Sequence, residues 1–554
     1  MAPRKRSRAS ARPARVALLL AANALALLAL WWLAAGPAAP GEVAAGAPPS
    51  EEWPTALAHP FPAPLAAAPA LADEIRASDA PLARAATLRS VRAAVERARA
   101  KAADLTKGRV APSAVRVAVH VRELDRPKSE LALDADRAHM PASNMKLVTT
   151  AAALVLLGPG WHFTTRAEAN GALADGELTG DLVLRAGGDP LFDGGARGSV
   201  DALLAPFVER LWDAGLRRVR GDLVLDEGDF ADPAVPAGWP DEGQHWAEYC
   251  ALAGGFSANR GCVTATVSGT RPGRPARVTV EPRHHGLPQT VDVESTAGGK
   301  LIVRLDAHGA AGVVVRGAVP ASTSQWIGSC AHRDPVLLFG SALAGALRER
   351  GIELEGELRR ERGASGGTTL AELFSPLAAV LGPINTDSDN GCADQLFLAL
   401  GHARGGAGTR AAAARVTAEA LERLGVPSSG FQQTDGSGLS RHNRVSARQM
   451  SALIGAVLEL PGTAPALFRA SLAVGGRTGT LADRLRGPST AGRVHAKTGF
   501  IGGVSALSGV VESVAGPRYA FSVLVEYPVT DGLNTQCWKP LQDEICTLLA
   551  ELAP

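Results

Sequence analysis

A stretch without helix breakers, residues 147–157, apolar but for Thr149 and Thr150, follows directly on Lys146 and ends only at Gly158-Pro159. Its length and its lack of breakers predict a buried helix that starts near Ser143. Ser143 then falls in the first turn with Lys146 three residues on, so hydroxyl and amine share a face. A serine beside an amine that can take its proton is a candidate nucleophile. Alone the pattern is weak, because an N-cap serine followed by a lysine laid along the helix has the same letters. Cation usage sharpens it: eight lysines stand against forty-nine arginines. Arginine does not give up its proton, so a lysine is required where an amine must do so.

At 554 residues the chain has room for two to four domains. A net charge of +2 and a charged fraction of 20% give no sign of a nucleic-acid partner. Positive charge gathers only at the extreme N-terminus (Arg4, Lys5, Arg6, Arg8, Arg12, Arg15), ahead of the almost wholly apolar segment 16–35. That arrangement predicts export, with a basic flank left in the cytoplasm. The segment approaches the length of a spanning helix, which favours a retained single-span anchor over a cleaved signal peptide. Cys250, Cys262, Cys330, Cys392, Cys537 and Cys546 are too few for a disulfide scaffold. Their spacings form no metal set, and no metal or cofactor is expected. In an exported chain they can oxidise, with Cys250–Cys262 and Cys537–Cys546 the expected pairs.

Five regions follow from composition and pattern: a signal or anchor at 1–36, an Ala/Pro-rich linker and helix at 37–105, a first core segment at 106–165, a β-rich insert of one or two subdomains at 166–365, and a second core segment at 366–554. Helical spacing runs over 71–105, and valines at 115, 117, 119 and 121 predict a half-buried strand with a return at 129–135. Within the insert Gly-Asp-Leu-Val-Leu occurs at 180–184 and again at 221–225, marking two similar strands. Helical text covers 337–350 and is read on through 369–381. A polar loop at 385–391 enters an apolar helix, 446–460 is a helix, 493–511 reads as strand, glycine turn and strand, 519–526 is a strand, and 534–552 a closing helix.

Three short motifs occur in order: Ser143-x-x-Lys146, Ser388-Asp-Asn390 and Lys497-Thr-Gly499. Each has a bland alternative in a cap, a turn or a strand end, but the order and contexts fit a known trio for penicillin-reactive serine enzymes. The chain resembles the low-molecular-mass penicillin-binding proteins of the D-alanyl-D-alanine carboxypeptidase/endopeptidase type, whose hallmark is a long insert between the first and second motifs. Asp435-Gly-Ser-Gly-Leu-Ser-Arg441, Gly188-Asp-Pro-Leu191, Gly238-Trp-Pro240, Ser257-Ala-Asn259 and Gly479-Thr-Leu481 extend the likeness, which covers about residues 110–550. The implied fold is multidomain α+β or α/β. It has a β-lactamase-like serine transpeptidase core, an antiparallel sheet flanked by helices, and the β-rich insert. The implied substrates are peptidoglycan stem peptides, with β-lactams as covalent inhibitors. In the implied chemistry Ser143 attacks and a neutral Lys146, its pKa lowered by burial and by the charge of Lys497, accepts the proton. Ser388 relays that proton, and Asn390 holds Lys146 and substrate. Lys497, Thr498 and Gly499 receive the terminal carboxylate, and the backbone N–H groups of Ser143 and Phe500 form the oxyanion hole. Phe500 departs from the small hydroxyl residue more usual there. Asp241 or Glu242 is the implied partner for a diaminopimelate amine, against the alternative of a solvated turn. Two other readings stay open: a β-lactamase or other serine hydrolase on the same core, and an inactive envelope scaffold.

Overall fold

The computed structural model describes residues 85–126, 129–192, 198–516 and 518–552. The chain divides into two units, Met1–Ala63 and Pro64–Pro554. The first lies wholly outside the described residues, and with it the basic cluster, the apolar segment 16–35 and the choice between anchor and signal. No helix among the described residues is long and apolar enough to cross a membrane.

Runs of valine, alanine and leucine with a period of two build the central sheet. Its strands are β1 (Arg116–Glu123), β2 (Glu130–Leu133), β3 (Ala473–Val474), β4 (Val494–Ile501), β5 (Val504–Glu512) and β6 (Arg518–Glu526). The spatial order is β2-β1-β6-β5-β4-β3, with every neighbouring pair antiparallel. β1 pairs with β6 along its whole length, from Arg116 against Glu526 to Glu123 against Tyr519. Sequence-distant segments therefore meet at the centre of the sheet.

Helices cover both faces. On one side α1 (Ala85–Leu105) and α8 (Lys539–Ala550) pack Val91, Val95, Ile545 and Leu549 against Val117, Val119, Val121, Leu507 and Val523. On the other lie α2 (Met145–Leu156), α3 (Leu377–Asn385), α4 (Asn390–Gly405), α5 (Arg410–Arg423), α6 (Ala447–Leu458) and α7 (Ala464–Ser471). They share a core with Ala118, Ala506, Val510 and Leu524. This double cover corrects the half-buried reading of 115–121: of the intervening positions only Arg116 is exposed, while Ala118 lies in the helical layer and His120 is bonded through Nδ1 to Ser451 Oγ of α6 at 2.6 Å. α2 is buried almost all round, as its sequence demands of an interior helix.

The insert leaves and rejoins the core through two paired strands, His162–Asn170 and Thr368–Pro376, which run antiparallel with His162 opposite Pro376. The helical reading of 369–381 therefore fails for 369–376 and holds from Leu377 on. Thr-Leu-Ala-Glu-Leu alternates as well as it coils, and its pairing with the distant 162–170 strand decides. The two Gly-Asp-Leu-Val-Leu copies lie side by side in the same five-stranded sheet, with Leu182, Val183 and Leu184 parallel to Leu223, Val224 and Leu225. A helix not anticipated, Val200–Asp213, joins them, capped by Ser199 Oγ accepting from Ala202 N at 3.1 Å. A separate apolar cluster (Val263, Ala265, Val267, Val293, Val313, Val315) sits between two further small sheets. All six cysteines are buried free thiols, so the expected pairs Cys250–Cys262 and Cys537–Cys546 are absent. They serve as small apolar packing residues, and burial pushes the Cys250 thiol up to about 12.

Candidate active site

Ser143 lies in a single 3₁₀ turn, Ala142–Asn144, that runs straight into α2, one step before the helix turn expected to hold it. Ala142 starts the turn with φ +47°. The turn is pinned to the sheet by Asn144, whose Nδ2 donates to Ser508 Oγ of β5 at 2.6 Å, and Ser508 Oγ donates on to Ser522 Oγ of β6 at 2.9 Å. β4 passes so closely that only a glycine fits at 499. A Cβ there would stand 2.7 Å from Pro141 O and 3.1 Å from Asn144 Oδ1. The first and third motifs are thus pressed together by backbone shape.

Lys146 is fully buried, and its Nζ makes three contacts: Ser143 Oγ at 3.3 Å, Asn390 Oδ1 at 2.7 Å and the Ser437 carbonyl at 2.7 Å. Burial is the largest influence on this amine and lowers its pKa from 10.5 to about 8, against the opposing pull of Asp394, Asp435 and Asp389. Lys497, also fully buried, donates to Thr498 O at 3.0 Å. Its pKa is driven well down, first by burial and then by repulsion from Lys146, with Asp387 opposing. The two amines repel each other, and burial is the larger influence on both. Thr498 Oγ1 donates to Thr480 Oγ1 at 2.9 Å, which ties β4 to the Gly479-Thr-Leu481 turn.

The second motif is a loop-to-helix junction. Asp389 caps α4, accepting from Cys392 N at 2.8 Å, and its other oxygen faces Arg260 Nη1 of the insert at 3.4 Å. Asn390 turns its oxygen to Lys146 and donates its Nδ2 to Tyr249 O of the insert at 2.9 Å. Ser388 is half-buried with φ +68°, and its hydroxyl has no hydrogen-bond partner among the described residues. Phe500 is 56% exposed at the end of β4. Asp241 and Glu242 stand exposed beyond Trp239, and neither carboxylate is bonded to a described residue. Among the described residues no group of His, Cys, Asp and Glu is arranged to hold a metal ion.

Residues 102–549 match the D-Ala-D-Ala carboxypeptidase 3 (S13) family. The chain belongs to that family. The D-alanyl-D-alanine carboxypeptidase of Actinomadura sp. (strain R39) is 33% identical over 444 residues, spanning 75% of this chain and 77% of its own. The D-alanyl-D-alanine carboxypeptidase DacB of Haemophilus influenzae is 26% identical over 415 residues, 72% of this chain and 82% of its own. The fold of penicillin binding protein 4 (dacB) from Haemophilus influenzae superimposes with a TM-score of 0.66 at 22% identity, over 81% of this chain and 98% of that one. This S13 chain is a serine-type D-Ala-D-Ala carboxypeptidase with a multidomain α+β fold like that of the superimposed protein.

The candidate site also contains groups that the three motifs do not include. Asp394, one turn beyond Asn390 on α4, is 2% exposed, and its Oδ1 accepts from the N–H groups of Gly436 and Ser437 at 2.7 and 2.9 Å. This fixes the carbonyl that Lys146 uses. Asp435 gathers four donors: Gly438 N at 2.8 Å, Asn443 Nδ2 at 2.8 Å, Ser440 N at 2.6 Å and Trp239 Nε1 of the insert at 2.7 Å. The available signal was the i, i+4 spacing of Asn390 and Asp394, which places both on one helix face, and the acid that opens the Asp435–Arg441 loop.

Proposed function

We propose that Ser143 is the nucleophile that cleaves peptidoglycan stem peptides ending in D-Ala-D-Ala, through an acyl-enzyme. The observation that carries this reading is a buried lysine, with its proton affinity lowered by desolvation, 3.3 Å from a serine hydroxyl. Neutral Lys146 takes the Ser143 proton as Oγ attacks the penultimate D-Ala carbonyl. Ser388 passes that proton to the leaving amine once substrate fills the groove, and Asn390 keeps Lys146 aimed. The N–H groups of Ser143 and Phe500 receive the developing oxyanion. Lys497 and Thr498, beside Gly499, hold the terminal carboxylate. An arriving carboxylate favours the charged form of Lys497, and that charge opposes protonation of Lys146. Substrate binding thereby readies the base. Water then releases the acyl group.

β-Lactams carry the same carboxylate next to a strained amide and acylate the same serine. Asp241 and Glu242, exposed on the loop after Trp239, are our candidates for an amine on the third stem residue. The substrate sits in the cell envelope, and we place the enzyme there; cell fractionation checks this.

Fluorescent penicillin is expected to form a persistent adduct that Ser143→Ala abolishes. A folded wild-type protein that takes no label would sink the reading, and rapid turnover of the adduct would make it a β-lactamase. Mass spectrometry of digested muropeptides reads the reaction itself. Loss of one D-Ala from monomers is carboxypeptidase action, and conversion of cross-linked dimers to monomers is endopeptidase action.

A further inference from the structure

β4 is paired along its whole length with β5, but β3 covers it only at His495 and Ala496. From Lys497 to Ile501 no described strand takes the other edge, so an extended peptide can add there. The roles proposed above fix its direction. With the terminal carboxylate at Lys497 and Thr498 and the scissile carbonyl at the Phe500 N–H, the acyl part must run past Ile501 toward Gly502 and Gly503. A cavity of about 310 Å³ opens at that hairpin, lined by Phe500, Gly502, Gly503, Tyr527, Val529 and Lys539 among others. Its apolar lip is exposed, Phe500 by 56% and Val529 by 71%. Its cation is Lys539, one of only eight lysines in the chain. The Lys539 ammonium makes no ion pair or hydrogen bond with any described residue, and the rim acid Asp531 is exposed.

We propose that this cavity is a subsite for a carboxylate-bearing residue of the acyl donor, with Lys539 as its cation. The inference rests on the reading of Ser143 as nucleophile. Stem peptides carry such a group: the γ-linked D-glutamyl residue keeps its α-carboxylate free, two residues upstream of the scissile D-Ala. At about 3.3 Å per extended residue, two residues carry the chain about 7 Å beyond Phe500, to the hairpin end. The apolar lip suits the methylene arm of that linkage, and the unpaired ammonium suits its charge.

The test compares two synthetic donors that differ only at this group, an N-acyl-γ-D-Glu stem with the free α-carboxylate and its α-amide. Wild type is expected to prefer the acid in kcat/KM by about threefold to tenfold, the effect of one half-exposed ion pair. Lys539→Gln is expected to bring that ratio to unity, and Lys539→Arg to retain most of it. Both donors are measured on the same protein, so a loss of folded material cancels in the ratio. Raised salt should shrink the wild-type preference. A wild-type ratio of one, or an undiminished ratio in Lys539→Gln, overturns the subsite. If wild type hydrolyses neither donor and takes no penicillin label, the reading of Ser143 falls and the subsite with it. Labelling by penicillin with equal hydrolysis of both donors removes the subsite alone.

Discussion

Lys146 and Asp394 share one buried volume, and neither titrates independently of the other. Asp394 is the group whose charge most favours the Lys146 proton, while burial and the neighbouring Asp435 raise its own pKa to about 7. In the proposed mechanism attack by Ser143 needs the neutral amine, so penicillin acylation is expected to rise with pH and level off above about 8, where Lys146 has lost its proton. As pH approaches 8 Asp394 is already ionised, and its charge delays loss of the Lys146 proton. Asp394→Asn keeps an oxygen for the Gly436 and Ser437 N–H groups but removes the charge. Lys146 then releases its proton at lower pH, and the acid limb of the acylation profile moves down the pH scale. A stopped-flow pH series on both proteins checks this. A slower rate with an unmoved limb would leave Asp394 with a structural part only.

At the scale of elements, the proposed mechanism depends on how closely a strand and a turn approach. Gly499 lets β4 lie against the Ser143 turn, and a Cβ at that position would also meet Ala506 Cβ at 3.0 Å. Gly499→Ala is expected to cost about 1–3 kcal/mol of stability by overpacking. It should lower penicillin acylation about a hundredfold, the penalty of a shift near 1 Å at the reacting atoms. Thermal melting and the acylation rate, measured together, separate the two effects. The same elements show what sequence can carry. The three motifs were legible because a serine, two lysines and an asparagine do chemistry that few other residues can do. α2 was legible because no helix breaker interrupts its run. The helix Val200–Asp213 was hidden by the glycines at 194, 195 and 198 and by Pro206, which mask the spacing of Leu204, Phe207, Val208 and Leu211. The strand at 368–376 was missed because pairing with residues some two hundred positions away, and no local preference, selects it. Asp394 was passed over because one acid on an apolar helix acquires meaning only when the 435–438 loop folds onto it.

Across the whole molecule, the insert is bonded directly to the core groups that surround Lys146. It contributes three polar contacts to the groups around Lys146: Tyr249 O to Asn390, Arg260 to Asp389, and Trp239 Nε1 to Asp435. It stays in register because its entry and exit strands pair with each other, so its loops reach the core from a fixed base. Trp239→Phe tests this connection with little change in packing. The substitution leaves the fully buried Asp435 with one donor fewer, at a cost of about 1–3 kcal/mol. The melting temperature should fall by about a few degrees. Asp435 holds the loop whose Ser437 carbonyl receives Lys146, so penicillin acylation should slow as well. Ile302, 59% exposed on the edge strand of a separate small sheet of the insert, provides the contrast, and Ile302→Ser is expected to change neither quantity. If Trp239→Phe lowers the melting temperature but acylates at the wild-type rate, the insert steadies the core without shaping its chemistry. If both fall together, the insert helps to hold Lys146 where Ser143 can use it.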